Sequence, residues 1–419
     1  MDSKNEPLRQ AMELLLDLPN VKVQEVHQER NGNYIVTLAS TEHGTTCHKC
    51  GEEIHKPNGY GEWVTLRHTT VFGKPVYLRI RLPRYRCDCE GEPTTTQRVS
   101  WFTCRSPFTA VYEAHLLLEC VNSTIADVAI KKNVACDAIR GVLDRNIKTS
   151  VDWSTIEPFE GIGVDEISLK KGHQDFVAIV TARQGDETHI LAVLEDRKKE
   201  TIKKFFLSIP KKLRRAVRYV CSDMYDGFIN AAKEVFGKKV RIVADRFHVA
   251  KLYRDGLEDL RKKELRRLKR ELPAATYKKF KGVMWSLRKK EEDLTEDDKA
   301  ALEHLFQYSP SMKQAYLFRN QLTAIFDRKI TRAQAKHQLN AWVDRIKRSA
   351  VRCFDGFIKT LMARKDEITN YFIGRHNSGF VEGLNNKIKV IKRRCYGIFS
   401  PAHLFQRIHL DLVGYKLYA

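Results

Sequence analysis

The spacing of apolar positions changes character along the chain. Up to residue 104, short runs such as "EWVTLRHTT" and "KPVYLRIRLPRYRC" alternate apolar and polar residues, the pattern of half-buried strands. From Pro107 the period lengthens to that of a helix. "FTAVYEAHLLLECV" predicts one helix and "STIADVAIKKN" a second, with Ser123 or Thr124 as its N-cap. After a turn at Asn133, "ACDAIRGVLDRNIK" predicts a third, with Ile139, Val142 and Leu143 turned inward. "IGVDEI", "DFVAIVTAR" and "THILAVLED" then predict three strands, antiparallel by their short connections. "KKETIKKFFLSIP" predicts an amphipathic helix, "RAVRYVCSD" a fourth and wholly apolar strand, "MYDGFINAAKEVFG" a helix, and "KVRIVADRFHVAKL" a fifth strand entering another helix. Helical spacing continues through "KLYRDGLEDLRKKELRRLKREL", "TEDDKAALEHLFQ", "SMKQAYLFRNQLTAIFD", "TRAQAKHQLNAWVDRIKRS" and "RCFDGFIKTLMARKDEITNYF", each read as one helix of a bundle with its own core.

Three antiparallel strands followed by alternating strands and helices is the order of an RNase H-like α/β domain. A short helix, a tight turn and a second helix, as in 105–150, is the helix-turn-helix plan, whose last helix enters the major groove. Arg140, Arg145 and Lys148 are then its outward side chains.

Composition sharpens the picture through charge. The 419 residues carry a formal net charge of +22, with a pI near 9.5, which favours a polyanionic partner. Double-stranded DNA is the expected one. The excess is concentrated: 246–290 holds 16 Lys and Arg against 5 Asp and Glu. Trp285 and Tyr277 lie in that stretch; packing in the core is the expected role for each, stacking on an unpaired base the alternative. No run of about 18 apolar residues occurs to span a bilayer. "MDSKNEPLRQ" lacks the basic-then-apolar start of a signal peptide, so a cytoplasmic, nucleoid-associated protein is expected.

Six of the ten cysteines are scattered. The others form two pairs, Cys47 with Cys50 and Cys87 with Cys89, separated by strands. Two thiolate pairs facing one ion are what a tetrahedral zinc ribbon requires. The C-x-C spacing of the second pair is one residue shorter than usual, which leaves His48 or His55 as alternative ligands. Arg79, Arg81, Arg84 and Arg86 recur along the strand that leads to it, giving a basic strand suited to phosphate.

Carboxylates supply the candidate chemistry. Metal-dependent phosphodiester chemistry needs several acids converging on one point. Asp165 lies within the first strand of the α/β domain and Asp223 just past the fourth, and these strands are neighbours in an RNase H-like sheet. Glu382 opens the basic helix "GFVEGLNNKIKVIKRR", in which Lys387, Lys389, Lys392, Arg393 and Arg394 follow it. Between Asp165 and Asp223 lie 57 residues (223 − 165 − 1), and between Asp223 and Glu382 lie 158 (382 − 223 − 1), too many for a simple connection and enough for an inserted domain. Asp226 and Asp245 are rivals for a place among the acids, Asp245 the stronger because it too follows an apolar strand, three residues before His248.

In their order, "GVDEISLKKGHQDFVAIV", "VCSDMYDGFINAAKEVF", "VADRFHVAKL" and "HNSGFVEGLNNKIKVIKRRCYGIFS" resemble the DDE transposases of bacterial insertion sequences, in the group called ISL-three. The resemblance runs nearly the whole length. It implies Asp165, Asp223 and Glu382 as ligands of Mg²⁺ (or Mn²⁺), with Asp245 and His248 auxiliary, and Zn²⁺ at Cys47, Cys50, Cys87 and Cys89. It also implies DNA contacts from Lys387, Lys389, Lys392, Arg393 and Arg394, and a homodimer or larger assembly that handles two element ends. The implied activity is binding of terminal inverted repeats, cleavage and strand transfer. A regulator that no longer cuts, or an RNase H-like nuclease, are the alternatives. The expected organisation is a zinc-ribbon region (1–104), a helix-turn-helix (105–150), a first part of the catalytic domain (151–250), a helical insertion (251–372) and a C-terminal part carrying Glu382 (373–419).

Overall fold

A computed structural model of the chain describes residues 6–170, 174–185, 187–376, 379–398 and 400–419, with the side chains at 170, 174, 187, 188, 379–382 and 385 outside the description. The chain divides into two compact units, Met1–Thr149 with Gln406–Ala419, and Ser150–Phe405. The segment expected to lie wholly in the catalytic domain, 373–419, is therefore shared between them.

The first unit opens with α1 (Glu6–Leu16), β1 (Val21–Gln28), β2 (Tyr34–Ser40), the two-residue strands β3 (Thr45–Thr46) and β4 (Glu53–Ile54), β5 (Lys56–Val71), β6 (Lys74–Arg86) and β7 (Thr94–Thr96). The main sheet has the order β1-β2-β6-β5, with β7 also on β6; β2 and β6 are parallel and the other pairs antiparallel. Alternation in β6 does what the sequence predicts. Val76, Leu78 and Ile80 are fully buried, while Arg79 and Arg81 face out, each beside an aromatic ring of β5, Trp63 at 4.6 Å and Tyr60 at 5.7 Å.

Helices α2 (Ala110–Cys120), α3 (Ile125–Lys132) and α4 (Cys136–Asn146) follow. Thr124, not Ser123, caps α3 by accepting the Asp127 N–H at 3.0 Å, and Asn133 ends it in the left-handed region at φ 49°. Ile139, Val142 and Leu143 are buried as expected. A buried carboxylate ties α2 to α4: Glu113 accepts from Ser106 Oγ at 2.6 Å, Arg145 Nε at 2.9 Å and Asn146 Nδ2 at 2.7 Å. The last helix of the chain also joins this unit from Gln406 onward. Gln406 donates to Asp144 at 2.8 Å, Arg407 to the Cys120 carbonyl at 3.0 Å, and Asp411 accepts the Asn122 N–H at 3.0 Å.

The second unit holds β8 (Gly161–Lys170), β9 (Gln174–Gln184), β10 (Glu187–Leu194), α5 (Lys199–Ser208), α6 (Lys211–Ala216), β11 (Tyr219–Ser222), α7 (Asp226–Phe236), β12 (Arg241–Ala244) and the long α8 (Arg246–Glu271). After these come α9 (Ala274–Lys278), α10 (Val283–Ser286), α11 (Glu296–Tyr308), α12 (Pro310–Asp327), α13 (Arg332–Arg348), α14 (Asp355–Ala363), α15 (Lys365–Thr369), α16 (Gly379–Arg394) and the start of α17 (Pro401–Tyr418). The sheet order is β10-β9-β8-β11-β12, antiparallel from β10 to β8 and parallel from β8 to β12.

Strand alternation sends the two sides of this sheet to different cores. Ile162, Val164, Val220 and Ile242 pack with Ile202 and Phe206 of α5 and Phe228 and Ile229 of α7. Tyr219, Cys221 and Val243 face the other way, onto Val249, Tyr253 and Leu257 of α8. That second core runs on without a break to Leu322, Trp342 and Phe357, so the inserted helices do not have the separate core expected of them. The reason is α8, which starts on the sheet and ends in the bundle.

Three other expectations change. Residues 215–216, read as the start of the fourth strand, close α6, and β11 keeps only the buried 219–222. The helix predicted from "RCFDGFIKTLMARKDEITNYF" breaks at Arg364 (φ −122°, ψ 31°). Tyr277 does pack against the bundle core, but Trp285 is 61% exposed, with the Arg288 guanidinium 5.4 Å from its ring centre.

Candidate active site and zinc centre

Parallel pairing sets the acids side by side. Val164 pairs with Ser222, and Ser222 with Ala244. The next residue on each strand line is an aspartate: Asp165, Asp223 and Asp245, on the sheet face that meets α8. Asp165 and Asp245 are buried, at 7% and 3% exposure. Asp245 also caps α8, accepting the Phe247 N–H at 3.1 Å. One turn into α8, His248 places Nε2 3.9 Å from Asp165 Oδ1 and 3.8 Å from Asp245 Oδ2. The helix cap thus brings the histidine over two of the three acids.

The electrostatics are those of crowded carboxylates. Burial pushes the Asp223 carboxyl up to about 6, and the charges of Glu166 and Asp165 act in the same direction. The Tyr225 N–H, 2.9 Å from Asp223 Oδ1, and His248 oppose the rise. The thiol of Cys221, behind the acids, is raised by burial first and then by Asp245 and Asp165. Glu166 is held by Arg197 at 2.6 Å, whose guanidinium also lies against Phe176 and Tyr225. A divalent cation relieves such a cluster, so the donor set suits hard, oxygen-preferring metals.

Asp226, the weaker rival, pairs with Arg364 away from this row. Glu382 falls on α16, which packs along β8, the strand of Asp165. The side chain of Glu382 itself lies outside the described residues. Leu384, Ile388 and Ile391 form the buried face of that helix. The His376 ring stacks on Tyr219 of β11 at 3.7 Å, just before the helix starts. Gly161 makes room for that tyrosine, because a Cβ there would meet its ring at 2.3 Å.

The basic residues divide. Lys389 and Arg393 are exposed, Lys387 and Arg394 half-buried. Lys392 turns inward and donates to the Ser168 carbonyl of β8, and its burial lowers the ammonium pKa. In the first unit, Arg145 is committed to Glu113, Arg140 pairs with Asp137 at 2.6 Å, and Lys148 reaches the Asp144 carbonyl at 3.4 Å.

In the same unit all four paired cysteines meet. The sulfurs of Cys47, Cys50, Cys87 and Cys89 lie within 4.8 Å of one another, and Cys50 Sγ is 3.6 Å from Cys87 Sγ. Zinc bonds of about 2.3 Å in a tetrahedron require sulfurs about 3.8 Å apart. Backbone N–H groups of Cys50 and Lys49 lower the Cys47 thiol to about 6, while the neighbouring Cys87 sulfur pushes Cys89 up to about 12. Four sulfurs this close cannot share negative charge without a cation, so the set suits zinc. The short C-x-C spacing brings both of its cysteines in. The two histidines bond elsewhere, His48 to Thr95 and His55 to the His43 carbonyl.

Sequence reasoning missed Glu166 with Arg197, which shape the surroundings of Asp223, and the clasp of Arg407 and Asp411 on the helical part of the first unit. An acid one residue from a candidate ligand and a cation on a later loop carry no periodic signal.

Comparison with known proteins identifies the class first. Residues 162–408 match a family described as transposase, of the ISL3 group, and residues 43–89 match the zinc-finger of transposase IS204/IS1001/IS1096/IS1165. The chain is 25% identical over 377 residues to the transposase for insertion sequence element IS1001 of Bordetella parapertussis, covering 88% of this chain and 89% of that one. It is 23% identical over 403 residues to the transposase for insertion sequence element IS1557 of Mycobacterium tuberculosis, covering 88% and 86%. The larger family match takes in more than half of the chain, and the protein belongs to the ISL3 transposase family. Among the described residues no helix is long and apolar enough to cross a membrane.

Proposed function

We propose that the protein binds the terminal inverted repeats of an insertion sequence and catalyses metal-dependent DNA cleavage and strand transfer. The observation that carries the reading is the row of Asp165, Asp223 and Asp245 on adjacent parallel strands, with α16 packed along the first of them. We read the second unit as an RNase H-like domain with a helical insertion at 251–372, because its strand order and mixed pairing have that form. The helices at 105–150 are read as a helix-turn-helix and, with the zinc ribbon, as the part that recognises the ends.

Asp165, Asp223 and Glu382 are the proposed ligands of two Mg²⁺ ions, which when bound stabilise the attacking and leaving oxygens of an in-line displacement. Asp165 enters rigidly from mid-strand, and Asp223 is oriented by the Tyr225 N–H. His248, with Nε2 between Asp165 and Asp245, is the residue proposed to position that pair. The exposed Lys389 and Arg393 hold phosphates of the strand being cut. Two ends must be processed together, so a homodimer or larger assembly is part of the proposal.

The test is cleavage of labelled end DNA in Mg²⁺. Asp165→Asn, Asp223→Asn and Glu382→Gln should each reduce cutting to background while end binding persists. Wild-type cutting by any of the three would refute its assignment.

A further inference from the structure

A cleft of about 390 Å³ runs along α8 from Phe247 to Arg261 and is closed by Met284, Leu287 and Arg288 and by Arg319. Its volume is in the range of sites for small organic ligands, about 300–1,000 Å³. Five cations (Lys251, Arg254, Arg261, Arg288 and Arg319) face two acids, Asp255 and Glu258. Glu258 is already satisfied by Arg261, with Nε at 2.9 Å, so the remaining lining is positive.

Arg319 is the informative residue. It is 7% exposed, and among the described residues no carboxylate pairs with it. One guanidinium nitrogen donates to the Leu287 carbonyl, while Nε is buried without a partner. Burial is the main effect acting against its charge; the Tyr316 ring, 5.0 Å from the guanidinium carbon, and Tyr253 offset it in part, and Arg254 adds to it. A buried guanidinium without a counter-ion is costly, and an arriving anion removes the cost. An aromatic platform lines the same cleft, further toward the start of α8. Phe247, 40% exposed, lines the cleft and meets the ring of His248 edge-on at 5.6 Å. His248 in turn reaches Asp165 and Asp245.

We propose that this cleft holds one unstacked nucleotide of the DNA strand being processed, with its base on Phe247 and its phosphate between Arg319 and Arg254. The inference rests on the DNA-cleaving reading above. The cleft is too small for a duplex. Stacking a base on an aromatic side chain contributes about 1–3 kcal/mol, comparable with the few kcal/mol needed to unstack it. At its Phe247 end the cleft adjoins His248, so a nucleotide stacked on Phe247 leads the adjoining backbone toward the acids. A free nucleotide has the same chemistry and is separated by experiment.

The whole chain, zinc-loaded and without Mg²⁺, is titrated with end DNA carrying one abasic residue, moved stepwise across the cleavage point. Phe247→Ala should weaken binding of intact DNA roughly five- to hundredfold. At one position the abasic DNA should bind wild type as weakly as intact DNA binds Phe247→Ala, and the variant should add no further loss there. A methylphosphonate at the adjoining linkage should likewise cancel the loss caused by Arg319→Met, with Arg319→Lys recovering part of it. If Arg319→Met does not fold, the exposed Arg254→Gln replaces it. Additive losses at every position, with tight wild-type binding, overturn the cleft assignment and leave the transposase reading standing. Additive losses together with tight binding of a free deoxynucleotide overturn it in favour of a soluble ligand. Failure of wild type to bind end DNA overturns both.

Discussion

Replacing Asp223 by Asn should stabilise the metal-free protein at neutral pH while abolishing DNA cleavage. Burial and the neighbouring charges raise the Asp223 carboxyl from 3.8 to about 6. The native state therefore binds this proton more tightly than the unfolded chain does. Below pH 4 both states are protonated and no penalty exists. Between about pH 4 and 6 the unfolded chain ionises first, and stability falls as pH rises. Above pH 6 the penalty is constant, and the full pKa difference corresponds to about 3 kcal/mol. Asp223 keeps some contact with solvent, so the realised gain on neutralising it should be about 1–2 kcal/mol. Asn retains an oxygen for the Tyr225 N–H, so little else changes. The assay is thermal unfolding in chelator at pH 4 and pH 8. The variant should melt roughly 2–8 °C higher at pH 8 and match wild type at pH 4. Adding Mg²⁺ should stabilise wild type and leave the variant unmoved. A variant less stable than wild type at pH 8, or a gain that persists at pH 4, would refute the account of Asp223 as a strained member of an acid cluster.

Other outcomes follow from particular contacts. Cys89→Ser should release zinc from the purified protein, read by metal content, and expose the first unit to proteolysis. Glu113→Ala leaves Arg145 half-buried without its partner and should cost about 3–5 kcal/mol in denaturant unfolding, against a smaller loss for Glu113→Gln. Lys389→Ala should weaken end binding and reduce its salt dependence by about one phosphate contact, whereas Lys392→Met should leave that slope unchanged, because Lys392 already serves the Ser168 carbonyl.

The sequence by itself determined what local rules govern. Alternation in β6 and the helical period of α2 to α4 follow from which face must be buried, and the cap at Thr124 and the left-handed Asn133 follow from backbone chemistry. The cysteine pairs were legible because two short spacings suffice to describe a zinc site. Asp165, Asp223 and Asp245 were each visible as an acid on or after an apolar strand. Nothing in their spacing said that parallel pairing of β8, β11 and β12 sets all three at one level, since register is a property of the assembled sheet. Distance along the chain hid the rest. Arg407 and Asp411 bind the turn between α2 and α3, almost three hundred residues earlier, and Lys392, one cation among five, turns in to a strand carbonyl. Arg319 reads as one more basic residue on a helix until packing removes its water and leaves it without an acid. Local preference writes the elements; desolvation and long-range partners, which exist only once the chain is packed, decided which charges were left to act.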